Sequence, residues 1–130
     1  MILLDTHVVI WLAQDYRRIS TAARAAIEDA RNRDRGLAVS DITFVEIARL
    51  ASHGRINLIP DVKTVLSEVE HRFVILPITS GIAMQAFALP AKYPKDPVDR
   101  VIGATAVIEG LSLVTADQAI RQSKAVPTIW

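Results

Sequence analysis

Five carboxylates occupy places where an acid has something to explain. Asp5 interrupts MILLDTHVVIWL, between the apolar runs Ile2–Leu4 and Val8–Leu12. Asp117 follows LSLVT in the same way, Asp96 and Asp99 bracket a proline in KDPVDR, and Glu46 lies among Phe44, Val45, Ile47 and Ala48. A carboxylate beside a core costs several kcal/mol or more unless it is paired, protonated, hydrated or bound to a metal. Each has an ordinary explanation: Asp5, Asp96 and Asp117 suit helix N-caps, and Glu46 suits a solvated pair with Arg49 one turn on. Capping explains one acid per helix, but it does not favour Asp over Ser, Thr or Asn three times running. Gathered in one crevice, the acids would repel one another until a cation neutralised them. All-oxygen donors suit Mg2+ or Mn2+, ions that activate water and clamp the oxygens of a phosphoryl group.

Whether they gather depends on the elements that carry them. Ile2–Leu4 reads as a short buried strand and Thr6 to about Gln14 as a helix. Further helices are expected in ARAAIEDARNR, with Ser20 or Thr21 as N-cap, and in DITFVEIARLAS, PDVKTVLSEVEHR, TSGIAMQAFAL, VDRVIGATAVIEG and DQAIRQS. GLAVS, FVILPI, LSLVT and the closing PTIW read as strands. Short apolar strands alternating with helices predict an α/β fold on a parallel sheet, one domain over residues 1–130. In such sheets, groups just past the carboxyl ends of strands converge on one crevice. Asp5 and Asp117 occupy that position, and Asp99 lies on the first turn of the helix leading into the fourth strand. Helical spacing puts Asp96, Asp99, Arg100 and Gly103 on one face, leaving Val98, Val101, Ile102 and Ala106 to be buried. Thr6, Ser40, Thr43 and Thr115 can orient the carboxylates or hold waters, although local backbone hydrogen bonding serves such hydroxyls equally well.

Composition narrows the classes. The 130 residues carry no cysteine, so thiol chemistry and disulfides are excluded. No apolar run spans a bilayer, and the N-terminus lacks the basic region of a signal peptide, so a cytoplasmic protein without membrane association is expected. The net charge of +1 hides an asymmetry. With the five acids set in one pocket, nine remain against fifteen Lys and Arg, a surface suited to a polyanion. The five glycines form no dinucleotide-binding fingerprint. His7, His53 and His71 lack metal-ligand spacing, and Trp11 and Trp130 read as packing residues. Lys92, Tyr93 and Lys95, on a proline-punctuated loop, are candidates for contact with such a polyanion, Tyr93 by stacking, and Arg100 is a further one.

LLDTHVVIWL, VSDITFVEIARL, KDPVDRVIGATA and LVTADQAIRQ, with the closing VPTIW, resemble in order the PIN-domain nucleases, and among them the VapC-type toxins of toxin–antitoxin modules. The resemblance implies a three-layer fold with a parallel five-stranded sheet flanked by helices, and a metal-dependent endoribonuclease. It implies Asp5 and Asp99 as primary Mg2+ ligands (Mn2+ substituting), with Asp117 completing the site or serving a second ion. Glu46 would bind through water or position the attacking water, and Asp96 would be an additional acid. It further implies an RNA substrate, a homodimer and a cognate antitoxin. Two positions depart from the subgroup, Val45 where an aromatic is common and Pro94 where His is common, and both bear on substrate contacts. The rival reading is a non-catalytic PIN-like module that binds RNA or protein.

Overall fold

The computed structural model describes residues 1–130. The chain runs β1 (Ile2–Leu4), α1 (Thr6–Gln14), a 3₁₀ turn (Tyr16–Arg18), α2 (Thr21–Asn32), β2 (Leu37–Ser40), α3 (Ile42–Ser52), α4 (Val62–Arg72) and β3 (Val74–Leu76). It continues through α5 (Ser80–Ala88), α6 (Pro97–Glu109), β4 (Leu113–Val114), α7 (Gln118–Ser123) and β5 (Thr128–Ile129). No helix is long and apolar enough to cross a membrane.

All five strands are parallel, in the order β3-β2-β1-β4-β5. The chain steps outward from β1 to β3, then crosses back to lay β4 on the other side of β1. The strand order therefore reverses between β1 and β4, and their carboxyl ends open a crevice there. Side-chain alternation divides the central strands between two cores. Leu4, Val39 and Val114 face one, with Val8 and Val9 of α1, Ile27 of α2, Ile47 of α3 and Val69 of α4. Leu3, Ala38 and Leu113 face the other, with Ile102 and Ala106 of α6 and Ile120 of α7. These are the helix, sheet and helix layers expected from the sequence. Helix α5 packs outside them, on α6, through Ile82, Ala86 and Ala104.

The helix starts follow the capping logic. Asp5, Ser20, Asp61, Thr79, Asp96 and Asp117 each accept a backbone N–H of the first turn with a side-chain oxygen. Gly110 ends α6 in the left-handed region at φ 65°, where a Cβ would be strained.

Helix α6 departs from its expected orientation. Arg100 and Gly103 do not face the crevice with Asp96 and Asp99; both are buried, and apolar residues are buried all round them. The Arg100 guanidinium donates to the carbonyls of Ala86 (3.1 Å), Leu89 (3.4 Å) and Tyr93 (3.3 Å). It thus caps the carboxyl end of α5, where the helix dipole favours a cation. Tyr93 is 1% exposed. Its hydroxyl donates to the Asp99 carbonyl at 2.8 Å, and its ring lies against Gly103. Neither Tyr93 nor Arg100 is available to RNA: the ring is core, and the cation is spent on backbone carbonyls. The 90–96 loop is anchored on α6 by these two side chains rather than free.

A Cβ at Gly103 would lie 2.6 Å from Tyr93 Cζ. Gly103→Ala is expected to destabilise the fold by about 1–3 kcal/mol through overpacking. Urea unfolding should also show a smaller loss, near 1 kcal/mol, for Tyr93→Phe. An alanine variant as stable as the parent would mean that the ring is not held against α6.

Candidate active site

At the β1/β4 junction lies a cavity of about 540 Å3, and all five acids line it: Asp5, Glu46, Asp96, Asp99 and Asp117. Asp5 is its deepest member, 7% exposed. The Asp5 N–H donates to the Val114 carbonyl at 3.0 Å, which ties it to the end of β4. Its Oδ1 accepts the Thr6 N–H at 2.8 Å and its Oδ2 the Thr115 hydroxyl at 2.6 Å. Thr115 also accepts the Asp117 N–H at 3.1 Å. One hydroxyl thereby joins Asp5 to the turn that carries Asp117. Burial pushes the Asp5 carboxyl above its ordinary value, against the lowering effect of the Thr115 and Thr6 hydrogen bonds.

Asp99 is the most electrically crowded of the acids. Its carboxylate accepts no hydrogen bond, and its proton affinity is pushed up to about 7, first by burial and then by the charges of Asp5, Asp96, Asp117 and Glu46. All four other acids act on this one group, so the convergence expected from the sequence is electrostatic as well as spatial. Asp96 and Asp117 each use Oδ1 as a helix cap, for the Val98 and Asp99 N–H groups and the Ile120 N–H respectively.

Glu46 combines both readings of the sequence. It lies in the cavity wall and is gripped by Arg49: Nε to Oε2 at 3.0 Å, and Nη2 to Oε1 at 3.0 Å and to Oε2 at 2.8 Å. The hydroxyls divide in function. Thr115 orients Asp5, whereas the Thr6 hydroxyl faces Thr43 at 3.3 Å and ties α1 to α3 without reaching a carboxylate. Ser40 accepts the Ile42 N–H at 3.3 Å, a local bond. Lys92 and Lys95 are exposed but do not line the cavity.

The lining also includes His7, Trp11, Arg49, Leu50, Arg55 and Ile56. His7 and Trp11 carried a detectable signal, since they stand on α1 two and six residues beyond Asp5. Arg55 and Ile56 carried none, because a turn after α3 brings them back. No three acids or histidines stand close enough to form a ready coordination shell. The five carboxylates nonetheless fit a hard divalent cation: they offer oxygen donors, and a repulsion among them that a cation would relieve.

Over residues 2–125 the sequence matches the family model described as PIN domain. The chain belongs to the PIN-domain family. It is 39% identical over 131 residues to Ribonuclease VapC22 of Mycobacterium tuberculosis (strain ATCC 25618 / H37Rv), covering 99% of this chain and 98% of that protein. Two of the solved structures that share this fold are toxin–antitoxin proteins. One is VapBC2 from Rickettsia felis bound to a DNA fragment from its promoter (TM-score 0.73, 15% identity, 98% of this chain and 97% of that one). The other is a toxin–antitoxin complex from Klebsiella pneumoniae (TM-score 0.68, 24% identity, 97% and 95%).

The charge crowding has a consequence for stability. An unfolded aspartate ionises near pH 4. Folded Asp99, held up to about 7, binds its proton more tightly between those values. In EDTA the stability of the PIN domain should therefore fall as pH rises from about 4 to about 7, then level off. Asp99→Asn should remove much of that slope, leaving a remainder from Asp5. Mn2+ should raise the melting temperature more at pH 8 than at pH 5, because it competes with protons. Melting temperatures that are flat with pH in EDTA would show that the carboxylates do not crowd one another.

Proposed function

We propose that this PIN domain is a metal-dependent endoribonuclease and the toxin of a toxin–antitoxin pair. The observation that carries the reading is the convergence of five carboxylates on one cavity at the sheet's switch point, where Asp99 is crowded by the other four. A module that only binds RNA or protein has no use for such repulsion. The kinship with Ribonuclease VapC22 supports the substrate class.

Asp5 and Asp99 would hold Mg2+, for which Mn2+ would substitute, and Asp117 would complete the site; Asp96 would add negative charge at the rim. Bound there, the ion supplies a lowered pKa for water and charge to offset that on the phosphate. The protein contributes geometry. Thr115 fixes the Asp5 rotamer, so that ligand is not free to turn away. Glu46 Oε1 takes only one of Arg49's three hydrogen bonds and retains acceptor capacity for the attacking water. Water attacks phosphorus in line with the 3′ oxygen. The new O–P bond forms as the P–O3′ bond breaks, the water's proton passes to carboxylate, and the leaving 3′ oxygen takes a proton from solvent water. The products carry 5′-phosphate and 3′-hydroxyl ends.

The partners follow from the same reading. The likeness to the toxin–antitoxin structures supports a cognate antitoxin as inhibitor. Met84 and Phe87, 77% and 75% exposed on α5, offer an apolar face for a homodimer. Lys92 and Lys95 are placed for RNA phosphates outside the cavity. In this reading residues 1–130 form one nuclease domain that works in the cytoplasm.

Purified protein free of antitoxin should cleave a pool of structured RNAs in Mn2+ or Mg2+ and not in EDTA. Asp5→Asn and Asp99→Asn should each reduce the rate roughly a hundredfold or more while remaining folded. Thr115→Val should weaken Mn2+ binding by about tenfold, measured by calorimetry, since it removes the bond that orients a ligand. Metal-independent cleavage, or full activity in the Asp5→Asn variant, would refute the assignment.

A further inference from the structure

The cavity that gathers five acids also admits two guanidiniums, Arg49 and Arg55, and their placement has a local cause. Helix α3 ends in a tight reversal: Gly54 takes φ 67°, its N–H donates to the Ala51 carbonyl (3.1 Å), and the Arg55 N–H donates to the Leu50 carbonyl (2.9 Å). This paired closure folds the chain back over the last turn of the helix. It returns Arg55 and Ile56 to the cavity that Arg49 and Leu50 already line, so two cations and two apolar side chains from this one segment line it together.

A solvated pair one turn apart explains Arg49 in part, and such a pair contributes at most about 1 kcal/mol. Two features go beyond it. The fork leaves Arg49 Nη1 without a protein partner, on a side chain that is 49% exposed at the cavity. Arg55 makes no ion pair or side-chain hydrogen bond at all, although five carboxylates line the same cavity. A guanidinium held by one carboxylate, beside a second that is left unspent, is an arrangement for receiving an oxyanion.

We propose that Arg49 and Arg55 bind the RNA phosphate next to the scissile one, with Glu46 acting as the positioning residue that aims Arg49. This rests on the ribonuclease reading and deepens it. The arginine wall sets the strand's register over the acids, and Leu50 and Ile56 give the adjoining nucleoside an apolar surface to cover. Glu46 then serves the reaction twice, through the water it accepts from and through the cation it orients.

The test is equilibrium binding of a fluorescent single-stranded 2′-O-methyl RNA of about a dozen nucleotides, followed by anisotropy in Ca2+ and in EDTA across a salt series. Arg49→Gln should weaken binding roughly tenfold and reduce the slope of log K against log salt by about 0.7, the loss of one phosphate contact on a single strand. Arg55→Gln should reduce the slope likewise, and Arg49→Lys should keep the slope but lose affinity, because it keeps charge without the fork. Mn2+ affinity should be unchanged or tighter in Arg49→Gln. Thermal melts would confirm folding, and should Arg49→Gln unfold, Arg49→Lys and Arg55→Gln carry the comparison. An unchanged salt slope in both glutamine variants, with parental RNA binding intact, would reduce Arg49 to an internal counter-ion of Glu46 and overturn the proposal alone. Parental protein that binds no RNA would overturn the ribonuclease reading with it.

Discussion

The structure is organised around a repulsion. Five carboxylates are brought to the junction of β1 and β4, and the fold must hold them there against one another. It does so with short covalent reach and neutral hydrogen-bond donors. Asp5 is pinned through its own backbone to β4, and both of its side-chain oxygens are satisfied by a backbone N–H and a threonine hydroxyl. Thr115 is fully buried and serves two acids at once, as donor to Asp5 and acceptor for the Asp117 turn. Only at Glu46 is a cation used, and it comes from the same helix. Asp99, which has neither, takes up the residual repulsion as a raised proton affinity. The site is thus left with uncompensated negative charge, a repulsion that a cation would relieve.

Much of this was legible in residue order. The strand–acid–helix pattern at Asp5 and at Asp117 is readable because parallel sheets place strand ends on one edge, and β1 and β4 are neighbours in the observed order. The pattern is not sufficient by itself. Asp41 follows β2 in the same manner, yet its Oδ2 accepts the Ile78 N–H at 3.3 Å from the segment beyond β3 and takes no part in the cavity. What separates the two outcomes is the strand order, which resemblance to a family conveys and local spacing does not.

The misreading of α6 has a definite physical source. Spacing identifies which residues share a helix face, but the number of faces that are buried depends on neighbours elsewhere in the chain. Helix α5 covers the side of α6 turned away from the sheet, so no solvent-facing stripe remains near Arg100 and Gly103. An arginine in such a place needs acceptors that sequence does not advertise. Here they are backbone carbonyls at and beyond the end of α5, available only because α5 stops at Ala88 and the following loop doubles back. Tyr93 was mistaken for the same reason: an aromatic in a proline-rich loop looks exposed until the loop is closed onto a glycine. Arg55 was invisible because its position is set by the reversal at Gly54 rather than by helix period.

Capping and metal binding need not compete, and the arrangement of oxygens shows why. Asp96 and Asp117 each satisfy their helix with Oδ1 alone, and Asp5 gives Oδ1 to α1 before it meets Thr115 with Oδ2. A serine or threonine would cap these helices about equally well. It would bring one neutral oxygen, already spent on the backbone. An aspartate brings a second oxygen and a full charge, held in a rotamer that the cap itself selects. The helix start therefore also serves as a mount for the acid, since the free energy that orders the first turn orders the carboxylate too. This is a reason for aspartate, rather than any other capping residue, to recur where the strands of this sheet end.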